Sequence, residues 1–245
     1  MLTFFTSKPK VASVDFSTLK TDMHSHLIPG IDDGAQNVAQ SVRMIEVMMD
    51  LGYQKIIATP HVKYDYFPNT HETIYTGLGI LQEALIKQNI NIHVDAAAEY
   101  YLDETFEAKL EKDDILAIDN KYLLFELSFF NFPLNLFEII DKIKAKGYTP
   151  VLAHPERYAY LCGSIENFNK IKDAGCLLQL NVISLTGYYG KVAQRAAEEL
   201  VNHSLIDFAG SDMHHAKHAE ALKQALFLPH VERLINNCPL QNALL

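Results

Sequence analysis

Short apolar runs alternate along the chain with longer stretches in which apolar residues recur at helical spacing. Seven short runs stand out, and they read LKTDMHSH, QKIIATPH, INIHVDAAAEY, YLLFEL, TPVLAHPE, CLLQLNVIS and LIDFAGSDMH. Short apolar runs rich in β-branched residues are typical of buried strands. The pattern therefore predicts seven strands.

The stretches between the strands carry a helical period. Val38, Val42, Ile45 and Met49 fall on one helical face, and Gly52 follows as a stop signal. This predicts a helix over residues 36–51, and the same reasoning predicts helices over 71–88, 135–146 and 190–203. About seven helices alternating with seven strands indicate parallel βα units, either in a closed barrel or in an open doubly wound sheet.

The residues at the strand ends favour the barrel. Nearly every predicted strand ends in a histidine, an aspartate or a glutamate. The carboxyl ends of all strands of a parallel barrel meet at one mouth, whereas an open sheet would spread them along a line. We therefore predict an α/β fold, a distorted (βα)7 barrel.

Composition limits the class of protein. The 245 residues are 49% hydrophobic and 21% charged, as in an ordinary globular domain. We expect a single domain over residues 1–245, with residues 1–20 as a peripheral N-terminal extension. The formal net charge of −9 argues against nucleic-acid binding. The first ten residues are a poor match to a signal peptide, and no apolar run reaches the length of a membrane span, so we expect a cytoplasmic protein without membrane insertion.

The three cysteines exclude one mechanism. A cysteine nucleophile in a C-x5-R anion-binding loop needs an arginine six residues after it. Phe168 occupies that position after Cys162, Val182 occupies it after Cys176, and the chain ends soon after Cys238 without an arginine. The spacing favours three reduced thiols.

The ligand-type residues number nine. Four are carboxylates and five are imidazoles: Asp33, Glu99, Glu126, Asp212, His24, His26, His61, His154 and His214. Nine ligands suit two or three metal ions, and mixed nitrogen and oxygen ligands fit Mn²⁺, Fe²⁺, Zn²⁺ or Mg²⁺. Three divalent ions among four carboxylates would leave a charge of about +2, which attracts a phosphate dianion.

The chain resembles the PHP (polymerase and histidinol phosphatase) superfamily, and within it the bacterial protein-tyrosine phosphatases of capsular and exopolysaccharide biosynthesis. The segment DMHSHLIPGIDDGA carries the most specific match, and ATPH, HPERY, QLNVISLTGYYG and SDMH follow in the expected order. The resemblance covers about residues 20–225.

The resemblance implies that the nine residues above hold three divalent ions, most often Mn²⁺. It also implies phosphate binding by Arg157 and a catalytic role for Asp212 and His214. A hydroxide that bridges two metals would attack the phosphorus of a phosphotyrosine, on the tail of a membrane-bound polysaccharide co-polymerase tyrosine kinase. Many relatives carry a second arginine after the last motif. Here the sequence reads HHAKHAEALK, without an arginine, so either Lys217 or His218 supplies that charge or no residue does.

Several alternatives remain at this point. A small-molecule phosphatase of the histidinol-phosphate type would use the same metals, as would an exonuclease of the superfamily, and a non-catalytic regulator would keep only the fold. Arg157 could instead form a surface ion pair with Glu156. Asn181 and Ser184 are candidates to line the mouth, and Asp22 is a candidate partner for a metal-bound histidine. The other histidines are expected in surface or core roles: His71, His93, His203, His215, His218 and His230.

Overall fold

A computed structural model describes residue 12 and residues 14–245. Nine strands occur there: β1 (Thr21–Asp22), β2 (Lys55–Ala58), β3 (His61–Val62), β4 (His93–Ala96), β5 (Glu99–Tyr101), β6 (Tyr122–Glu126), β7 (Thr149–Ala153), β8 (Leu177–Asn181) and β9 (Phe208–Gly210). Eight α-helices accompany them: α1 (Val38–Asp50), α2 (His71–Lys87), α3 (Phe106–Glu111), α4 (Leu136–Ala145), α5 (Ile165–Asp173), α6 (Lys191–Asn202), α7 (Ala216–Ala225) and α8 (Pro229–Asn237).

The nine strands correspond to the seven predicted runs because two runs are interrupted. Thr59 and Pro60 separate β2 from β3, and Ala97 and Ala98 separate β4 from β5. Proline has no backbone N–H to donate to a neighbouring strand, which accounts for a break at Pro60. Each interrupted run therefore crosses from one sheet to the next.

Every ladder is parallel. One sheet has the order β1-β2-β4, and the other has the order β3-β5-β6-β7-β8-β9. The two are joined beside β1, where Ser25 forms a parallel bridge with Met213 and the Asp212 amide donates to the His24 carbonyl at 2.8 Å. With this junction and the two interrupted runs, seven strand runs follow one another around the molecule, and the distorted (βα)7 barrel is confirmed.

Apolar side chains fill the barrel below its mouth. Met23, Ile57, Leu124, Val151 and Phe208 form one buried cluster inside the ring of strands. A second, larger cluster lies between the strands and the surrounding helices. The interior is therefore a packed plug that supports the charged residues above it.

The predicted helices are confirmed within one or two residues at each end. On α1, Val42 and Ile45 are buried and Val38 and Met49 are partly buried, as their spacing indicated. Asn37 caps α1 by accepting a hydrogen bond from the Gln40 amide. None of the described helices is long and apolar enough to cross a membrane.

Phe16 and Asn242, near the two ends of the described chain, contribute to the base of the barrel. Phe16 is fully buried and its ring stacks on Tyr53 at 4.9 Å, so the described part of the 1–20 segment is not peripheral; residues 1–11 and 13 lie outside the described residues. At the other end, Asn242 donates to the carbonyls of Thr21 at 2.9 Å and Ala209 at 2.7 Å. These contacts close the face opposite the mouth.

Candidate metal centre

The nine candidate ligands converge at the carboxyl ends of the strands. His24 and His26 follow β1, Glu126 ends β6, His154 follows β7, and Asp212 and His214 follow β9. His61 and Glu99 begin β3 and β5, directly after the two strand interruptions, and they are partners in the parallel register. The interruptions therefore bring one imidazole and one carboxylate over the apolar plug.

Four of these side chains form a compact group. The Nε2 atom of His24 lies 3.3 Å from Glu99 Oε2 and 3.4 Å from Asp212 Oδ1. The Nε2 atom of His26 lies 3.4 Å and 3.3 Å from the same two oxygens, and the two Nε2 atoms are 3.3 Å apart. Around a tetrahedral ion with bonds of about 2.0–2.1 Å, neighbouring ligand atoms lie about 3.3–3.4 Å apart. His24 Nε2, His26 Nε2 and Asp212 Oδ1 have this spacing and form one potential ligand group, while Glu99 belongs to two neighbouring groups.

The remaining ligands extend the group in two directions. His61 Nδ1 lies 3.0 Å from Glu99 Oε2 and 3.5 Å from Glu126 Oε1. Asp33 Oδ1 lies 3.5 Å from the Nε2 atoms of both His61 and His214. Four overlapping groups of potential ligands contain all nine residues, and the donor atoms within each group lie within 4.8 Å of one another. Overlap of this kind is what neighbouring ions with shared carboxylates require.

Two ligands adopt a backbone conformation that side chains other than glycine rarely take. His154 has a φ of 37° and Asp212 has a φ of 49°, each immediately after a strand or one residue beyond it. Left-handed backbone at non-glycine residues is costly and concentrates at functional sites. Here the two left-handed residues lie where the chain leaves β7 and β9, and both are ligand candidates of the centre.

Hydrogen bonds from outside the ligand set orient both histidines of the H-x-H motif. His24 Nδ1 lies 2.7 Å from Gln179 Oε1, and His26 Nδ1 lies 2.8 Å from Asp32 Oδ2. Since the Nδ1 atoms are engaged, the Nε2 atoms are left to face the centre. The sequence indicated neither partner clearly, although Asp32 belongs to the Asp-Asp-Gly element.

Asp22 does not have the role predicted for it. Its carboxylate accepts hydrogen bonds from the Ser211 amide at 2.8 Å and the Ser211 hydroxyl at 2.9 Å. Asp22 therefore ties β1 to the end of β9, and no hydrogen bond joins it to a ligand histidine among the described residues. Burial raises the pKa of this carboxyl to about 7.

The charges of the ligand cluster depend strongly on one another. Burial and the neighbouring Glu99 raise the pKa of Glu126 to about 7. Burial lowers the pKa of His24, but Glu99 and Asp212 outweigh it and raise that pKa to about 9. Burial and the nearby Arg157 lower the pKa of His154 to about 4, which keeps its imidazole neutral, as metal binding requires.

Three buried atoms of the ligand residues make no hydrogen bond of acceptable geometry among the described residues: Glu99 Oε2, His61 Nδ1 and His154 Nδ1. A buried carboxylate oxygen without a donor is strongly unfavourable unless a cation neutralises it. The donor set, with carboxylates and imidazoles and no thiolate, therefore fits divalent cations by chemistry as well as by distance.

Arg157 lies at the rim of the cluster. Its Nη1 atom donates to Asp212 Oδ2 at 2.9 Å, and its guanidinium carbon lies 4.7 Å from the centre of the Phe129 ring and 4.2 Å from that of Tyr189. The alternative of a surface ion pair with Glu156 is wrong, since Glu156 is fully buried and accepts a hydrogen bond from the Ser184 hydroxyl at 2.6 Å. The aromatic pair instead fixes the plane of the guanidinium.

Asn181 and Ser184 lie behind the mouth rather than on it. Both are fully buried. Asn181 donates to Asp212 Oδ2 at 2.6 Å, and Ser184 holds Glu156. The prediction that they line the mouth is wrong, because both side chains are buried behind it: Asn181 at the end of β8 holds Asp212, and Ser184 in the 3-10 turn after β8 holds Glu156.

A pocket of about 360 Å³ opens over the cluster, and Asp33, His61, Glu126, His154, Arg157, Asp212 and His214 contribute to its walls. The rest of the lining consists of Lys63, Phe67, Phe129, Tyr189, His215 and His218. Of the two residues expected to replace the second arginine, only His218 lines this pocket, and burial lowers its pKa to about 4. Lys217 lines a neighbouring groove. Lys63, which sequence reasoning missed, is the second cation of the pocket.

Comparison with known proteins places the chain in a narrow group. The family described as capsular polysaccharide synthesis, CpsB/CapC, matches residues 20–233. The tyrosine-protein phosphatase YwqE of Bacillus subtilis (strain 168) is 32% identical over 197 residues, 80% of this chain and 78% of the relative. The tyrosine-protein phosphatase CpsB of Streptococcus pneumoniae is 27% identical over 199 residues, 79% of this chain and 82% of the relative.

The solved structures agree. A structure from the work on YwqE of Bacillus subtilis and CpsB of Streptococcus pneumoniae, described as unique metal-dependent tyrosine phosphatases, matches with a TM-score of 0.79 and 29% identity, over 91% of this chain and 90% of that chain. An amidohydrolase from Mycoplasma synoviae matches with a TM-score of 0.55 at 13% identity, over 90% of this chain and 83% of that chain. The second likeness concerns the fold alone.

Proposed function

Because the chain belongs to the capsular polysaccharide synthesis CpsB/CapC family, we propose that it is a metal-dependent protein-tyrosine phosphatase that hydrolyses phosphotyrosine. The observation that carries this proposal is the convergence of nine oxygen and nitrogen ligands beneath a pocket that also holds Arg157. Cations and an arginine at one pocket suit a phosphate dianion.

The ligand set proposed for three divalent ions, with Mn²⁺ as the first choice, is His24, His26, Asp33, His61, Glu99, Glu126, His154, Asp212 and His214. Divalent ions held there would make a hydroxide nucleophile available near neutral pH and would stabilise negative charge on phosphoryl oxygens. Glu99 is central to this set, since it belongs to two of the four ligand groups and lies within 3.4 Å of His24, His26, His61 and His154.

Arg157 is proposed to grip the phosphoryl group. Its ion pair with Asp212 uses one nitrogen of the guanidinium, and the planar fork has other donors for phosphoryl oxygens. Phe129 and Tyr189 hold the plane of that fork. Lys63 contributes a second positive charge to the pocket, and its ammonium is held over the Tyr101 ring at 3.9 Å.

The pocket suits an aryl phosphate. Phe67 stacks on His61 with ring centres 5.6 Å apart, and Phe129 stacks on His154 at 5.9 Å, so aromatic side chains flank the ligands. A phenolate leaving group with a pKa of about 10 departs more readily than an alkoxide, and it has less need of a general acid. Both features favour phosphotyrosine over phosphoserine.

The proposed substrate is a tyrosine-phosphorylated protein, in particular the tail of a bacterial membrane tyrosine kinase, with the reaction in the cytoplasm. The names of the relatives, which are tyrosine-protein phosphatases, support a phosphoprotein substrate. The kinase tail is the finer part of the proposal and follows from the link of the family to capsular polysaccharide synthesis.

The test is a comparison of three substrates. Protein stripped with a chelator is titrated with Mn²⁺, and phosphate release is measured from a phosphotyrosine peptide, the matched phosphoserine peptide and histidinol phosphate. Manganese-dependent release with the highest kcat/KM for phosphotyrosine is expected. A higher kcat/KM for histidinol phosphate would contradict the proposal and would assign the chain to small-molecule phosphatases.

A further inference from the structure

We propose that a groove between α1 and α7 binds an acidic segment of the substrate that flanks the phosphotyrosine. This inference rests on the proposed function, since it concerns the peptide whose phosphotyrosine enters the metal pocket. It also gives a role to Lys217, which lines the groove and does not line the metal pocket.

The groove has a volume of about 550 Å³, large enough for several side chains. Its apolar floor includes Met44, Val47 and Ala219, and Arg43 and Lys217 stand at its edges. Met44 and Ala219 are buried, whereas Arg43 and Lys217 are exposed. The groove therefore combines an apolar surface for the stems of side chains with two accessible cations.

The groove adjoins the metal pocket. His215 lines both of them, and it follows the ligand His214 directly in the chain. An extended peptide advances about 3.3 Å per residue, so residues a few positions from the phosphotyrosine reach the groove.

Neither cation of the groove forms an ion pair within the part of the chain that the structure describes. Among the hydrogen bonds and ion pairs of the described residues, none involves the side chain of Arg43 or Lys217. The acidic residue of the groove, Glu220, pairs with Lys223 at 3.0 Å. In a chain with a formal net charge of −9, two unpaired cations beside the catalytic pocket favour an anionic partner.

An acidic peptide segment fits these features better than other anions. The groove joins a pocket that is proposed to take a phosphotyrosine side chain, so its occupant is covalently connected to the phosphotyrosine. Exposed charge pairs are individually weak, but a tethered segment forms them at high effective concentration. We therefore expect an effect on substrate preference rather than on the chemical step.

The test uses the manganese-loaded protein and three phosphotyrosine peptides of equal length. One peptide carries three glutamates before the phosphotyrosine, one carries them after it, and the third carries glutamines at all these positions. We expect kcat/KM for at least one acidic peptide to exceed that for the glutamine peptide by about three- to tenfold at low ionic strength. In the Arg43→Gln/Lys217→Gln variant, this ratio is expected to fall close to one.

The matched control is Lys87→Gln/Arg233→Gln, which changes the net charge equally on two exposed helix positions outside both cavities. It is expected to keep the wild-type ratio. Equal kcat/KM for all three peptides in the wild type would contradict binding of an acidic segment in the groove. An equal loss of preference in both double variants would also contradict it.

A different result would contradict the proposed function. A wild-type protein that hydrolyses p-nitrophenyl phosphate but none of the three peptides would contradict the protein phosphatase. Fluorescence anisotropy of the same peptides, labelled and mixed with the manganese-loaded protein, then measures peptide binding separately from hydrolysis. Tighter binding of an acidic peptide that is lost in the Arg43→Gln/Lys217→Gln variant would support the groove as the binding site of the acidic segment. Equal binding of all peptides would contradict it.

Discussion

The carboxylate of Asp212 connects Arg157 to the ligand cluster. Oδ2 accepts a hydrogen bond from Arg157 Nη1 at 2.9 Å, while Oδ1 lies 3.4 Å from His24 Nε2 and 3.3 Å from His26 Nε2. One side chain thus sets the distance between the proposed phosphate-binding cation and the proposed metals. This relationship makes Arg157 part of the centre although it is not a ligand.

Arg157→Lys is expected to lower kcat/KM for phosphotyrosine about 100-fold, because lysine keeps the charge but loses the planar fork between Phe129 and Tyr189. Steady-state kinetics measures the loss, and metal analysis checks that the variant still binds its ions. Asn181 still donates to Asp212 in the variant, so metal content should be kept. A variant with wild-type kcat/KM would remove Arg157 from the site.

Gln179→Ala is expected to weaken metal binding about 10- to 100-fold, because His24 loses the hydrogen bond that orients its ring. The concentration of Mn²⁺ for half-maximal activity measures this effect, and kcat at saturating Mn²⁺ should change less. Gln194→Ala is the control, since the Gln194 side chain is likewise held by a hydrogen bond, which it donates to the Leu185 carbonyl, but it lies outside the centre. An equal rise in both variants would show that the effect is not specific to His24.

Gly34→Ala is expected to destabilise the protein by about 2–4 kcal/mol. A Cβ at this position would lie 2.1 Å from the backbone oxygen of His26, so the turn that carries Asp32 and Asp33 must move. Gly79→Ala is the matched control, because a Cβ there meets nothing within 4 Å. It lies inside α2, where alanine is favoured over glycine by about 0.5–1 kcal/mol. Chemical denaturation of both variants measures the difference, and a Gly34→Ala protein as stable as wild type would contradict this account of the turn.

The pH dependence of stability provides a further test at Glu156. Burial raises the pKa of this carboxyl to about 7, above its value in an unfolded chain, and one of its oxygens has no hydrogen-bond donor among the described residues. The folded state therefore holds the proton more tightly, so the contribution of Glu156 to stability is present at low pH and is lost as pH rises towards 7.

Glu156→Gln removes this titration and keeps an oxygen for the Ser184 hydroxyl and the Asn181 amide. Relative to wild type, the variant should gain about 2–3 kcal/mol between pH 4 and pH 8. Urea denaturation across this range measures the gain. A difference between the two proteins that does not change with pH would contradict the raised pKa.

The sequence predicted the barrel and the nine ligand candidates because the carboxyl ends of all strands in a parallel barrel meet at one mouth. An H-x-H pair or a histidine after a buried strand is visible without coordinates. The interruptions at Pro60 and at Ala97–Ala98 were not foreseen, although they bring His61 and Glu99 into register. Two short strands separated by two residues look like one longer strand in an apolar pattern.

The supporting residues could not be predicted in the same way. Gln179 contacts His24 across 155 positions of sequence, and no local pattern reports such a partner. Lys63 and Phe129 lie in loops after strands, where side-chain direction depends on the loop conformation. Lys217 follows a ligand motif in the chain, but α7 carries it to the groove instead of the pocket.

The four overlapping ligand groups are proposed to hold three catalytic ions, and the number of bound ions can be counted. Chelator-stripped protein is reloaded with Mn²⁺ and freed of excess ion, and the bound manganese per chain is measured by mass spectrometry alongside phosphotyrosine hydrolysis. About three ions per chain are expected, with activity restored only as they bind and both lost in a Glu99→Gln variant. Full activity in the stripped protein, or a Glu99→Gln variant with unchanged manganese content and activity, would contradict the account.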